Sequence, residues 1–105
     1  MTLHVRALEQ ARDELADAAI YVEEQRQGFG FKLFDEYDDL VRFAVGNPAA
    51  GTPVDLPVRL ELRRFQMKRF RYAIFTARTD DELIVFAVSH HKRAPGYWAR
   101  RLDEM

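Results

Sequence analysis

Six consecutive apolar residues, Leu83 to Val88, constrain this chain more than any other feature. A membrane span needs about 20 such residues, so a run this short reads as a strand covered on both faces. It predicts a mid-sheet strand. Ser89, His90, His91, Lys92 and Arg93 follow directly, so polar groups are expected to emerge together at the rim of the sheet, where a rigid element positions them. Ala94-Pro95-Gly96 is read as the stop, because proline lacks the N–H that a ladder needs. Tyr97 and Trp98 then form a bulky amphipathic anchor, with Arg100 and Arg101 behind it.

The rest of the chain supplies what could cover such a strand. Leu3 to Val5 has β character. Leu8, Ala11, Leu15, Ala18, Ala19 and Val22 recur at the spacing of one helix face, predicting an amphipathic helix over Leu8–Gln25 that ends at a left-handed cap on Gly28. Small residues on that stripe allow close approach of a neighbour. A second helix is expected over Phe31–Val45, its apolar face built from Phe31, Phe34, Tyr37, Leu40, Val41, Ala44 and Val45. The aromatic residues of both helices read as core, and Asp35, Glu36, Asp38 and Asp39 as a solvated face. The short link makes the helices an antiparallel hairpin packed on one face of a sheet.

Asn47-Pro48 ends the second helix, and residues 47–57, with three prolines and a glycine, read as a surface loop. Beyond it the period changes to two: Phe65 and Met67 point one way, Arg64, Gln66 and Lys68 the other. Between Val58 and Lys68 a basic helix fits the pattern as well. Tyr72 to Ala77 reads as a strand, and residues 78–81 as a polar turn into the central strand, giving an antiparallel meander. The expected fold is one α+β domain over residues 1–105, with the hairpin on an antiparallel sheet centred on Leu83–Val88.

Composition narrows the function. The chain has 105 residues and no cysteine, which excludes a disulfide framework and a thiolate metal site. Adjacent histidines on a strand point to opposite faces, so no metal site is expected, and nothing implies a cofactor. With neither a signal-peptide pattern nor a membrane span in the sequence, the protein is expected in the cytoplasm, away from membranes. Residues 1–57 carry 5 Lys and Arg against 11 Asp and Glu, whereas residues 58–105 carry 11 against 6. The basic half suits an acidic or phosphate-bearing partner.

Two motifs carry a family resemblance. The first comprises Arg63, Arg64, Phe65, Lys68, Phe70, Tyr72, Ala73, Ile74 and Phe75; the second comprises Ala87, Val88, His90, Arg93, Pro95, Tyr97 and Trp98. With the order β-α-α-β-β-β, they resemble the RelE/ParE superfamily of bacterial type II toxins. Arg71 stands where that family's first motif usually has proline, and Thr76 where it has tyrosine.

The resemblance implies a growth inhibitor neutralised by a cognate ParD- or RelB-like antitoxin, and it leaves two targets. A metal-independent ribonuclease acting on mRNA at the ribosome would draw on Arg64, Lys68, Arg71 and Arg93 for phosphate, and on His90 or His91 for proton transfer. Tyr97 completes that candidate set. A gyrase-directed toxin would instead use Arg93, Tyr97, Trp98, Arg100 and Arg101 as a docking surface. An attenuated toxin that only binds its antitoxin is the third reading. The near-neutral charge, with an isoelectric point of about 6.3, suits a ribosomal RNA site poorly and favours the gyrase-directed reading.

Overall fold

The structure, a computed structural model, describes residues 2–105. The chain starts in the sheet with β1 (His4–Ala7), then makes the helical hairpin from α1 (Glu9–Gln25) and α2 (Phe29–Gly46). It re-enters at the far edge through β2 (Thr52–Pro53) and returns strand by strand through β3 (Glu61–Gln66), β4 (Tyr72–Arg78) and β5 (Glu82–His90). A 3-10 turn at Ala99–Glu104 follows. The sheet order is β1-β5-β4-β3-β2.

That path departs from the expected all-antiparallel sheet at one point. The hairpin carries the chain across the sheet and the meander walks it back, so β5 arrives beside β1 running in the same direction. The other pairings are antiparallel. By position β4, not β5, is the middle strand, although β5 is the one buried on both faces. The segment 58–68 holds a strand rather than a basic helix, and the loop 47–57 contains the short edge strand β2.

Each face of the sheet has its own core. Phe65, Met67, Ile74, Leu83, Val85 and Val88 meet the helices at Ala11, Ala18, Ala19, Val22, Leu33 and Ala44. On the opposite face Leu62, Ala77, Ile84, Phe86 and Ala87 are covered by Leu8 and Trp98. Phe86 and Ala87 are neighbours yet share that face. The cause is a β-bulge: Thr76 pairs with Val85 but Phe75 with Ala87, so β5 holds one residue more than β4.

The helices keep the expected bounds within a few residues, and of the face expected to be apolar in α2, Tyr37, Leu40, Val41, Ala44 and Val45 pack on the core while Phe31 and Phe34 do not. Gly30, Leu33 and Ala44 are its buried positions, while Phe31 is 78% exposed and Phe34 also faces outward. Tyr21 and Phe43 are exposed as well, so aromatic residues of the hairpin are not uniformly core. At Gly30 the helices approach closely: a Cβ there would lie 3.1 Å from the Ala19 carbonyl oxygen, so a side chain would push α1 back by a few tenths of an ångström.

Gly28 is left-handed as expected, with φ of 89°, but it precedes α2 instead of capping α1. It has no side chain to cap with. Glu23 of α1 does so, accepting hydrogen bonds from the Gly28 and Gly30 N–H groups, each at 2.9 Å. Glu36 of α2 plays a similar part at the β3–β4 turn, where the Lys68 and Arg69 N–H groups donate to its carboxylate. One member of the acidic face is therefore structural.

Candidate functional site

The polar cluster forms at the end of β5, and its centre is a residue of α1. Because β1 pairs only with Glu82 to Val85, the outer edge of β5 beyond Val85 has no neighbouring strand. Glu14 and Arg101 fill that place. The Glu14 carboxylate accepts from the Val88 N–H at 3.0 Å, while Arg101 donates to the Phe86 carbonyl at 3.0 Å. Arg101 also grips both carboxylate oxygens, at 2.7 and 3.1 Å. Both side chains are largely buried, at 12% and 16% exposure.

Tyr97 and Arg93 complete the cluster. The Tyr97 hydroxyl donates to Glu14 at 2.5 Å, and the Arg93 guanidinium approaches the same carboxylate at 3.6 Å while lying 3.9 Å over the Tyr97 ring. Burial first, and then the bond to Glu14, push the phenol upward from its ordinary value. Tyr97 therefore remains a protonated donor. The same carboxylate raises Arg101.

His90 sits apart from this cluster. β5 runs on through His90, two residues past the expected Val88, and the turn begins at His91. The His90 ring meets Tyr72 edge-on at 5.0 Å and stacks on His91 at 4.6 Å. Its Nδ1 accepts from the Lys92 N–H at 3.1 Å. Burial lowers its pKa, and the nearby His91, Lys92 and Arg71 lower it further, so the ring is neutral at physiological pH.

The pleat separates two of the proposed ribonuclease residues, Arg64 and His90. Cross-strand partners share a face, and His90 pairs with Tyr72, two residues from Ile74 on the helix-covered face. Arg64 pairs with Phe75, whose ring packs on Trp98 on the opposite face. Arg64 and His90 thus point away from each other. Lys68 and Arg71 are exposed in and beside the β3–β4 turn, with the Arg71 carbonyl accepting from the His91 N–H at 2.9 Å.

The expected docking surface divides differently. Trp98 is 5% exposed, packed against Phe75 at 4.8 Å and Phe86 at 5.1 Å between ring centres. It belongs to the core and offers no docking area. Arg101 is occupied by Glu14, whereas Arg100 is exposed and Arg93 half-exposed. Sequence reasoning missed Glu14, although a carboxylate three residues after Ala11 and four before Ala18 falls on the apolar stripe.

Among the described residues no three His, Cys, Asp or Glu side chains gather as metal ligands, and no helix is long and apolar enough to cross a membrane. No protein-family model matches the chain, and no curated protein matches it in sequence. Among solved structures it is similar to one described as a chromosomal ParDE TA system from P. aeruginosa, with a TM-score of 0.67 and 17% identity. The match covers 85% of this chain and 96% of the other. The chain has the ParE-like α+β fold that its motifs led us to expect.

Proposed function

We propose that this chain is the toxin of a type II toxin–antitoxin pair, acting in the cytoplasm on DNA gyrase rather than cutting mRNA. The ParE-like fold supports the general reading, and it brings a cognate antitoxin as the expected partner. One observation favours a non-nucleolytic mechanism. Arg64 projects from the face of the sheet opposite to His90, so that cation and that proton-transfer group do not converge on one substrate atom, although Arg71 lies near the His90 ring. Tyr97 and Arg93 are turned toward Glu14. A carboxylate there also repels a scissile phosphate.

On this reading the target is held by the exposed cations at the end of β5, chiefly Arg93 with Arg100, and the toxin needs no catalytic group. Induction in a bacterial host tests it. Growth arrest with filamentation and DNA damage, relieved by co-expressed antitoxin, is the expected result. Specific mRNA cleavage on translating ribosomes that His90→Ala and Arg93→Ala both abolish would overturn it, and unimpaired growth would leave the protein an antitoxin-binding module.

A further inference from the structure

The hairpin carries an apolar groove that faces away from the sheet and from the Glu14 cluster. Ala16 and Ile20 of α1 and Phe31 and Phe34 of α2 line it, and its volume is about 540 Å³. Ile20 is 60% exposed, so neither it nor Phe31 contributes to the fold's own cores. Exposed apolar residues scattered singly need no explanation, but a contiguous strip between two helices does.

The charge around the strip specifies what can cover it. Asp17 and Glu24 flank it on α1 and Asp38 on α2; all are exposed, and none has a cationic partner within salt-bridge distance among the described residues. The hairpin's cations are largely engaged elsewhere. Arg26 and Lys32 lie over the Phe29 ring at 4.5 and 4.6 Å, and Arg42 pairs with Asp39, leaving Arg12. A two-fold pairing of this face with itself would bring carboxylates together, and an anionic lipid surface or nucleic acid would be repelled.

We infer that this groove is a docking site for a cationic amphipathic helix of a partner protein, its apolar ridge between Ile20 and Phe31 and its Lys or Arg flanks against the three carboxylates. An apolar ridge in a groove supplies the affinity, and the charged flanks set orientation and discrimination. The site is distinct from the basic rim of the sheet, and it stands whether or not the chain is a toxin.

The test uses the full chain and two synthetic helices, one with leucines flanked by lysines and the other with the same leucines flanked by glutamates. Fluorescence anisotropy should show binding of the lysine helix, weakened by salt, and little binding of the glutamate helix. Phe31→Ser should weaken it by about tenfold or more while circular dichroism is unchanged, since the side chain is exposed. Asp17→Lys with Glu24→Lys should abolish the preference between the helices. Equal binding of both helices, undiminished binding by Phe31→Ser, or a self-dimer that Phe31→Ser dissolves in sedimentation would each overturn the proposal.

Discussion

The Glu14 carboxylate and the Arg101 guanidinium meet through two hydrogen bonds in the place where a further strand would pair with β5. Each also serves one backbone group of that strand, so the ion pair substitutes for ladder hydrogen bonds that β1 is too short to make. Glu14→Ala would leave a largely buried guanidinium uncompensated and the Val88 N–H unpaired. Losing one partner of a buried pair typically costs about 3–5 kcal/mol. Urea titration of wild type and Glu14→Ala should show a loss of that order; a change within about 0.5 kcal/mol would refute the substitution role.

Trp98 and Arg100 should separate stability from target binding. Trp98→Ala removes a ring packed against Phe75 and Phe86 and should cost about 3–5 kcal/mol. Arg100→Ala, at an exposed position, should stay within about 0.5 kcal/mol. Thermal melts measure both, and if the proposed gyrase-directed reading holds, gyrase binding by the folded Arg100 variant should fall with its stability unchanged.

Acid sensitivity should be traceable to Glu23. Its bonds from the Gly28 and Gly30 N–H groups lower its pKa, so the folded state holds the carboxylate charged when the unfolded chain has begun to bind a proton. The resulting stabilisation is complete above the unfolded value and lost as pH falls through the lower, folded one. Glu23→Gln should be less stable at neutral pH and should show a shallower decline in acid. Denaturation curves from neutral pH to about pH 3 would reveal a parallel decline if the assignment were wrong.

His90 gives the opposite protonation chemistry with the same sign. Its folded pKa lies below the ordinary histidine value, so as pH falls the unfolded chain takes up the proton first and stability decreases. The decrease begins near pH ~6.5 and ends once pH has passed below the folded value. An NMR titration should place His90 below free histidine, and His90→Gln should remove this segment of the pH dependence. A normal or raised midpoint would contradict the neutral ring described above.

Gly51 predicts a tight contact between the β2 edge and the core. A Cβ there would lie 2.8 Å from the Phe65 ring and 2.9 Å from the Arg64 carbonyl. Gly51→Ala should destabilise by about 1–3 kcal/mol through overpacking. Gly46→Ala, where nothing lies within 4 Å, is the control in the same chemical denaturation series.

Periodicity made the hairpin and meander legible, because burial on one face imposes a 3.6 or a 2.0 repeat wherever packing is one-sided. The N-terminal end of α2 was not legible, although Tyr37 to Val45 pack as the stripe implies. Phe31 and Phe34 fit an apolar stripe as well as Leu33 does, and it is Leu33 that turns inward, next to the close approach of the helices at Gly30. β2 escaped notice because its two residues include a proline that sits at a sheet edge. At the site, the gathering of Arg93, Tyr97 and Arg101 was foreseen as neighbours in sequence, but their common partner was 79 or more residues away on α1. The division of Arg64 from His90 depends on a register with β4 that no residue pattern announces.

The extra residue at Phe86–Ala87 acts as a phase inverter for everything after it in β5. Before it, the inward positions are odd-numbered, as at Leu83 and Val85; after it they are even-numbered, as at Val88 and His90. Deleting Phe86 would restore strict alternation yet leave the pairings on both sides of it intact, so His90 would stay opposite Tyr72 on the helix-covered face. The bulge therefore absorbs a change of one residue in length locally, and the strand beyond it keeps its side chains on the faces that β4 assigns them.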